Sequence, residues 1–292
     1  TKVLALYSPA KVNLFLRILK RRPDGYHDLA SVLQTIDLMD GITLRIDHPD
    51  FYDSFSCSDV SLPMDGANLV QRALELFRAR SQRAFSAQIH LEKRIPVQAG
   101  LGGGSGNAAT VLWGLNRLHG DPIPWRLPLE WAAELGSDVP FFLSHGTALA
   151  EGRGECLRDL PEIAPGRPVT IVKPEQGLCT AHVYAALELS RCAAVSTADC
   201  LDRIQRGEGA GGINDLERAA FRVFPELEDV KTELLACGFQ HVLLSGSGSA
   251  FFCLGDAEDP CIDGCEVFQA RFVQRTAMDW YRPSEVNLHA LV

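Results

Sequence analysis

Apolar residues recur with a period of two at Val12, Leu14, Leu16 and Ile18, interleaved with Asn13, Phe15 and Arg17, which predicts a strand. The same period returns at Ile42, Leu44 and Ile46. It returns again at Ala87, Ile89 and Leu91, where Gln88, His90 and Glu92 face the other way and predict a half-buried strand. Between these runs the spacing becomes helical. Leu69, Val70, Ala73, Leu74 and Phe77 form one stripe, and Ala108, Val111, Leu112, Leu115 and Leu118 form a second that Gly120 is placed to end.

Further along, Leu129–Leu135 reads as a short helix stopped near Gly136, and Thr147–Glu151 and Val169–Lys173 read as strands. The Gly-rich stretch Arg206–Gly212 reads as a mobile loop. Leu216–Phe224 and Glu226–Cys237 read as helices, the second ending at Gly238, and Val242–Leu244 and Ala250–Leu254 as short strands around a Gly/Ser turn. Strands and helices interleave without a strict βαβ rhythm, which favours an α+β fold over a doubly wound sheet. A boundary between Glu151 and Pro168 gives two units, residues 1–160 and 161–292.

Composition narrows the function. The 292 residues carry a formal net charge of −9, so no basic nucleic-acid surface is expected, and a phosphate ligand must be met by local donors. The nine cysteines, Cys57 to Cys265, include no C-x-x-C pair. They read as reduced thiols of a cytoplasmic protein, with Cys261 and Cys265 a poor zinc pair. No apolar run approaches a membrane span, and Lys11 and Asn13 interrupt any signal-peptide core.

The strongest local signal is Pro96-Val97-Gln98-Ala99-Gly100-Leu101-Gly102-Gly103-Gly104-Ser105-Gly106-Asn107. Glycines let a backbone bend and bring N–H groups against a ligand. The run leads into the helical stripe beginning at Ala108, so unpaired N–H groups and the positive helix end collect at its mouth, an arrangement suited to a polyphosphate. A β-branched residue at Gly103 is expected to block that approach and to resist a positive φ. The G-K-[ST] ending of a Walker A loop is missing. Gly104-x-Gly106-x-x-Ala109 only loosely matches a dinucleotide fingerprint, because Arg94-Ile95-Pro96 leads in where a buried strand is required.

Four other places carry chemistry. Lys11 and Asn13 share one strand face, although a solvated strand edge would also carry such a lysine. Arg22-Pro23-Asp24-Gly25 is a turn followed by Tyr26 and His27, an aromatic plate and an imidazole suited to a flat heterocycle. Asp138 stands between a helix end and the apolar Val139-Pro140-Phe141-Phe142, where a capping role is the plain alternative. Ser245-Gly246-Ser247-Gly248-Ser249 is a second Gly/Ser turn, fit for a hairpin or for closing over phosphates.

Together, the loop Pro96–Asn107 and the turn Ser245-Gly246-Ser247-Gly248 resemble the ATP loop and C-terminal glycine motif of the GHMP kinases, which include galactokinase, homoserine kinase and mevalonate kinase. Pro9-Ala10-Lys11-Val12-Asn13-Leu14, Pro23-Asp24-Gly25-Tyr26-His27, Gly100–Ser105 and Gly136-Ser137-Asp138-Val139-Pro140 extend the resemblance in family order over nearly the whole chain. The Tyr-His segment is most similar to the members that serve non-mevalonate isoprenoid synthesis. The resemblance implies a two-domain α+β kinase fold with the active site in a cleft between the domains. It implies ATP and Mg2+, an alcohol acceptor on a small molecule bearing a cytidine diphosphate moiety, and no nucleic-acid, membrane or obligate protein partner. It implies Lys11 and Asp138 as the catalytic pair, Pro96–Gly106 with Asn68 and Lys93 around ATP, Asn13, Tyr26, His27 and Tyr184 around the substrate, and Ser105 toward the metal. Two positions depart from the pattern: Gly106 stands where relatives carry a second serine, and Ala67 where they usually carry glutamate. Tyr26-His27 argues against a homoserine or mevalonate kinase, and the presence of both Lys11 and Asp138 against a non-catalytic nucleotide-binding regulator.

Overall fold

Two long strands form the spine of the protein, seen in a computed structural model that describes residues 1–63, 66–121, 123–124, 126–208, 212–257, 260–276 and 279–282. β1 (Lys2–Arg21) and β2 (His27–Asp47) pair antiparallel along their whole length, with register shifts between Pro9 and Ala10, Asn13 and Phe15, and Ile18 and Lys20. Such bulges bend a strand and sharpen its twist, so one hairpin contributes to three cores in succession.

β3 (Ser54–Cys57) runs parallel to β4 (Ser86–Glu92), and β4 pairs with the Gly41–Asp47 half of β2. The Leu29–Gln34 half of β2 pairs instead with β5 (Thr147–Gly152), which continues into β6 (Cys156–Asp159). Against this sheet pack α1 (Leu69–Ser81), α2 (Gly103–Leu118), α3 (Arg126–Leu135) and the short α4 (Val139–Phe142). Val70, Ala73, Leu74 and Phe77 of α1 are buried, as are Ala108, Val111, Leu112, Leu115 and Leu118 of α2, so both predicted stripes face the core.

A second, wholly antiparallel sheet follows in the order β10-β7-β9-β8, formed by β7 (Pro168–Pro174), β8 (His241–Leu244), β9 (Phe251–Leu254) and β10 (Cys265–Arg271). It is joined by α5 (Thr180–Ala185), α6 (Thr197–Gln205), α7 (Glu217–Val223) and α8 (Glu226–Ala236). The mixed sheet-and-helix architecture is α+β. The middle core belongs to both sheets, because Val12, Leu14 and Phe15 of β1 pack with Val169, Ile171 and Phe252.

The period-two expectation for β1 underestimated its burial. Asn13, Phe15 and Arg17 are as covered as Val12, Leu14 and Leu16, since the second layer closes over the face that alternation would leave open. Arg17 is neutralised there by Asp215 at 3.1 Å. β10 escaped the pattern because it is an edge strand with one fully buried residue, so little apolar alternation marks it. Of the expected Arg206–Gly212 loop, residues 209–211 lie outside the described residues.

Candidate active site

A cavity of about 1340 Å³ opens between the two sheets. Every expected site residue except Gly106 lines it. The residues come from β1, the β1–β2 turn, the glycine loop, the segment before α4, α5 and the Ser245–Ser249 turn, so the cleft requires both parts of the chain.

The glycine-loop end of the cavity rests on a carboxylate absent from the sequence-derived site. Asp40 of β2 is fully buried. One of its oxygens accepts from the Arg94 and Ile95 amides at 2.7 and 2.8 Å, and the other from Lys93 Nζ at 2.5 Å and Asn107 Nδ2 at 2.9 Å. Asp40 therefore ties the entrance of the glycine loop to the first turns of α2. Lys93 lines the cavity with its charge paired to Asp40. The available signal was a carboxylate within a largely apolar strand run that also carries Asp37, and a buried carboxylate must be paired.

α2 begins within the glycine run, at Gly103 and five residues before the apolar stripe, with Gly102 as its N-cap. The first-turn amides of Gly103, Gly104 and Ser105 have no intrahelical acceptor. They stand at the cavity wall, at the positive end of a 16-residue helix. The positive φ expected at Gly103 occurs instead at Gly100 (+76°) and Gly102 (+71°), because Gly103 is already helical. A Cβ on Gly102 would lie 2.8 Å from the Phe142 ring, and one on Gly100 would lie 1.9 Å from the Ser245 carbonyl oxygen. Reciprocally, a Cβ on Gly248 would lie 2.0 Å from the Gly100 nitrogen. The two glycine motifs are thus interlocked backbone to backbone, and Asn214 holds the second by donating to the Leu244 and Gly246 carbonyls at 3.0 and 2.7 Å. Gly106 lies underneath: a Cβ there would meet the Pro9 carbonyl at 2.7 Å, so the departure at this position is a packing contact of α2 on β1.

Lys11 is 3% exposed and so is not a strand-edge lysine. Its ammonium donates to Asn13 Oδ1 at 2.7 Å and to the Gly100 carbonyl at 2.9 Å, and stands 3.5 Å from Asp138 Oδ2. Asn13 in turn donates to Ser31 Oγ at 2.8 Å. Asp138 occupies the N-cap of α4, yet its side chain makes no capping hydrogen bond. Its carboxylate is directed to Lys11 and stays 40% exposed in the cavity, which leaves an oxygen able to accept a proton from a bound molecule. Ser105 also lines the cavity, and its hydroxyl has no partner among the described residues. Asn68 caps α1 by accepting from the Val70 amide at 2.9 Å, so it forms the cavity rim as a structural residue.

At the other end the His27 and Tyr184 rings lie 5.3 Å apart at 33°. Burial, and after it the charge of Arg21, holds His27 below the ordinary imidazole range, so it is neutral at pH 7 and offers one donor and one acceptor. Burial, and after it Asp138, pushes the Tyr184 hydroxyl up to about 12, so it remains protonated. Tyr26 is separate from this pair: it is 59% exposed, and the Arg153 guanidinium lies 5.2 Å from its ring centroid. Arg153 and Thr180, whose hydroxyl lies 2.8 Å from that of Ser247 in the Gly/Ser turn, escaped sequence reading because neither belongs to a local motif. Cys261 and Cys265 gather no third His, Cys, Asp or Glu among the described residues, and all nine cysteines are free thiols. No described helix is long and apolar enough to cross a membrane.

Comparisons with known proteins agree with this geometry. The GHMP kinases N terminal domain matches residues 68–146, and the GHMP kinases C terminal domain matches residues 178–260. A 4-diphosphocytidyl-2-C-methyl-D-erythritol kinase of Protochlamydia amoebophila is 44% identical over 95% of this chain and 93% of its own. The chloroplastic kinase of the same name from Arabidopsis thaliana is 39% identical over 97% of this chain and 78% of its own. The crystal structure of a 4-(cytidine 5'-diphospho)-2C-methyl-D-erythritol kinase superposes with a TM-score of 0.76 at 34% identity, covering 92% of this chain and 99% of that one. Homoserine kinase from Cytophaga hutchinsonii, 18% identical with a TM-score of 0.70 over 95% of this chain and 96% of its own, shares the fold. With both halves of the cleft matched and this identity sustained over nearly the full chain, the protein belongs to the GHMP kinase family, among its 4-diphosphocytidyl-2-C-methyl-D-erythritol kinases.

Proposed function

We propose that the protein transfers the γ-phosphoryl group of ATP to a hydroxyl of 4-diphosphocytidyl-2-C-methyl-D-erythritol, with Asp138 accepting the hydroxyl proton. The observation that carries the mechanism is the Lys11–Asp138 pair, 3.5 Å apart beside the interlocked glycine loops. Phosphoryl transfer passes through a loose transition state, so positioning and charge stabilisation dominate. The amides of Gly103, Gly104 and Ser105 hold polyphosphate oxygens at the positive end of α2. Lys11, anchored by Asn13 and the Gly100 carbonyl, offers a fixed positive charge to the moving phosphoryl group. Asp138 orients the hydroxyl and takes its proton as the bond to phosphorus forms, since an ordinary carboxylate is too weak a base to ionise an alcohol beforehand.

A hard cation suits this end of the cleft, where oxygen donors face the polyphosphate site. Ser105 would hold magnesium together with phosphate oxygens and water. When bound, the ion neutralises polyphosphate charge. Neutral His27 hydrogen-bonds the cytosine edge, Tyr184 packs beside it, and Tyr26 supplies a stacking face. The two-unit division at residues 160 and 161 fits the change of sheet between β6 and β7. A cytoplasmic setting fits the nine free thiols.

The test is incubation of the pure protein with ATP, magnesium and the cytidine-diphospho substrate. ADP and one singly phosphorylated product are expected in equal amounts. ATP hydrolysis without that product would defeat the assignment.

A further inference from the structure

β8 is the outer strand of the second sheet, and no strand among the described residues pairs with its free side. Its last residue, Leu244, is gripped on that side by two side chains. Glu217 Oε1 accepts from the Leu244 amide at 3.1 Å, and Asn214 Nδ2 donates to the Leu244 carbonyl at 3.0 Å. Asn214 reaches further into the turn that follows. Its Nδ2 also donates to the Gly246 carbonyl at 2.7 Å, while its Oδ1 accepts from the Leu216 amide at 3.0 Å. Both amide protons and the oxygen are therefore spent on backbone, at a residue only 7% exposed.

The support under Asn214 is β1. The Leu16 amide donates to the Ile213 carbonyl at 2.8 Å, and the Asp215 amide donates to the Leu16 carbonyl at 2.9 Å, so residues 213–215 lie as a short parallel rung beside β1. Asp215 adds its ion pair with Arg17 and accepts from the Ile18 amide at 2.8 Å. The same strand carries Lys11 and Asn13.

What this support holds in place is Gly246. A Cβ on Gly246 would lie 3.2 Å from Asn13 Oδ1 and 3.4 Å from Lys11 Nζ. The Gly246 backbone is thus a roof over the Lys11 ammonium, which bonds to the Gly100 carbonyl at 2.9 Å. Ser245 Oγ donates to that same carbonyl at 3.0 Å. Gly246 and Ser247 line the cavity, whereas Asn214 stands behind them and is not among the lining residues.

We infer that Asn214 is a positioning residue for phosphoryl transfer: it sets the Gly246 backbone over Lys11 and so fixes where the ammonium stands toward the moving phosphoryl group. The inference rests on the function proposed above. A lysine charge sits on a flexible four-carbon stem, and it stabilises a transition state fully only when its place is fixed beforehand. Asparagine suits the task because one nitrogen must serve two carbonyls while the oxygen serves an amide. Aspartate, its isostere, keeps the acceptor and lacks both donors.

The test is steady-state kinetics of wild type, Asn214→Asp, Asn214→Ser, Lys11→Met and the Lys11→Met, Asn214→Asp double variant, with kcat expressed per folded molecule. Asn214→Asp sets a carboxylate against two carbonyl oxygens and should push the turn away. Its kcat should fall about ten- to a hundredfold, the cost of a misplacement of about 1 Å at a reacting centre. The KM for the cytidine-diphospho substrate should change by less than about twofold. Asn214→Ser, which keeps a donor for one carbonyl only, should fall between wild type and Asn214→Asp. In the double variant Asn214→Asp should cost little beyond Lys11→Met, because the group it positions is already gone. A purely structural residue would instead multiply its loss with that of Lys11→Met, and that result overturns the inference. An unchanged kcat in folded Asn214→Asp overturns it, as does a rise in substrate KM as large as the fall in kcat. Should Asn214→Asp fold too poorly to assay, Asn214→Ser with and without Lys11→Met carries the same comparison. A wild-type protein that forms no phosphorylated product overturns the proposed function, and this inference with it. Failure of the inference alone is read only in variants of an active wild type.

Discussion

The two ends of the cavity are built by opposite means. At the phosphate end the working groups are backbone amides and buried side chains: Asp40 is fully buried, Lys11 is 3% exposed, and two glycine turns touch with no room for a Cβ. At the base end they are side chains on turns, with Tyr26 59% exposed and Arg153 stacked on it. In the proposed function, ATP phosphates meet a shape the fold cannot lose, whereas the nucleoside meets groups the fold can replace. Changes that intrude on the interlocked backbone or strand a buried charge at the first end should therefore damage structure and turnover together, and changes at the second should move substrate affinity alone.

The largest effect is expected at Gly100. In Gly100→Val the new Cβ would lie 1.9 Å from the Ser245 carbonyl oxygen, at a positive φ that β-branched residues resist. Kinase activity should vanish, and ATP should no longer raise the melting temperature. Gly104 is the control, because a Cβ there meets only Leu69 Cδ1 at 3.7 Å, and Gly104→Ala should fold normally. A Gly100→Val protein with wild-type ATP affinity would refute the interlock. Gly103→Val should also lose ATP, but by crowding Ile95 and Lys93 at 3.1 and 3.2 Å rather than through backbone strain.

Next comes Asp138→Asn, which should lower kcat by about 10²–10⁴, the usual contribution of a positioned base, while ATP binding persists. Lys11→Met should also depress kcat, and the double variant should be little worse than the worse single one if the pair acts as a unit. Because the Asp138 side chain makes no capping bond, thermal stability should hardly change; near-normal turnover in folded Asp138→Asn would remove the base from the mechanism. Asp40→Ala should destabilise the fold by about 3–5 kcal/mol in denaturant titration, because it strands the Lys93 ammonium in a buried site. A stability change under about 1 kcal/mol, the scale of an exposed ion pair, would show that Asp40 is not the anchor of the loop.

Smaller effects belong to the base end. His27→Ala and Tyr26→Ala should raise the substrate KM about tenfold or more through lost hydrogen bonding and stacking, with the KM for ATP unchanged. Equal movement of both constants would erase the contrast between the two ends. The smallest expected effect is on pH dependence. His27 titrates below its ordinary 6.5, so the substrate KM should be flat from pH 8 to 7 and rise only after the pH falls past that value, when the ring gains a proton and loses its acceptor. Arg21→Gln removes the second cause of the depression, so the rise should begin at higher pH. An inflection that does not move would exclude Arg21 from tuning His27.

Much of this was legible in the sequence, for reasons that are local. The stripes of α1 and α2 are short-range consequences of helical spacing, so their buried faces could be named in advance. The glycine run pointed to a phosphate loop because few side chains would intervene between its backbone and a ligand, and it does line the cavity. Lys11, Asp138, Tyr26 and His27 were recognisable because each lies within a motif that resembles a known family. What the sequence could not express was contact between distant positions. That Gly100 must accommodate Gly248 and that Asp40 holds both Lys93 and Asn107 are results of how the bulged hairpin and the second sheet close on one another. Gly106 looked like part of the ATP loop, yet helix rotation turns it onto Pro9, and Arg153, which belongs to no motif, is set over Tyr26 only by the fold. Periodicity reports which face of an element is apolar, whereas the partner that face meets, and the charge a buried group finds there, are decided only when the chain packs.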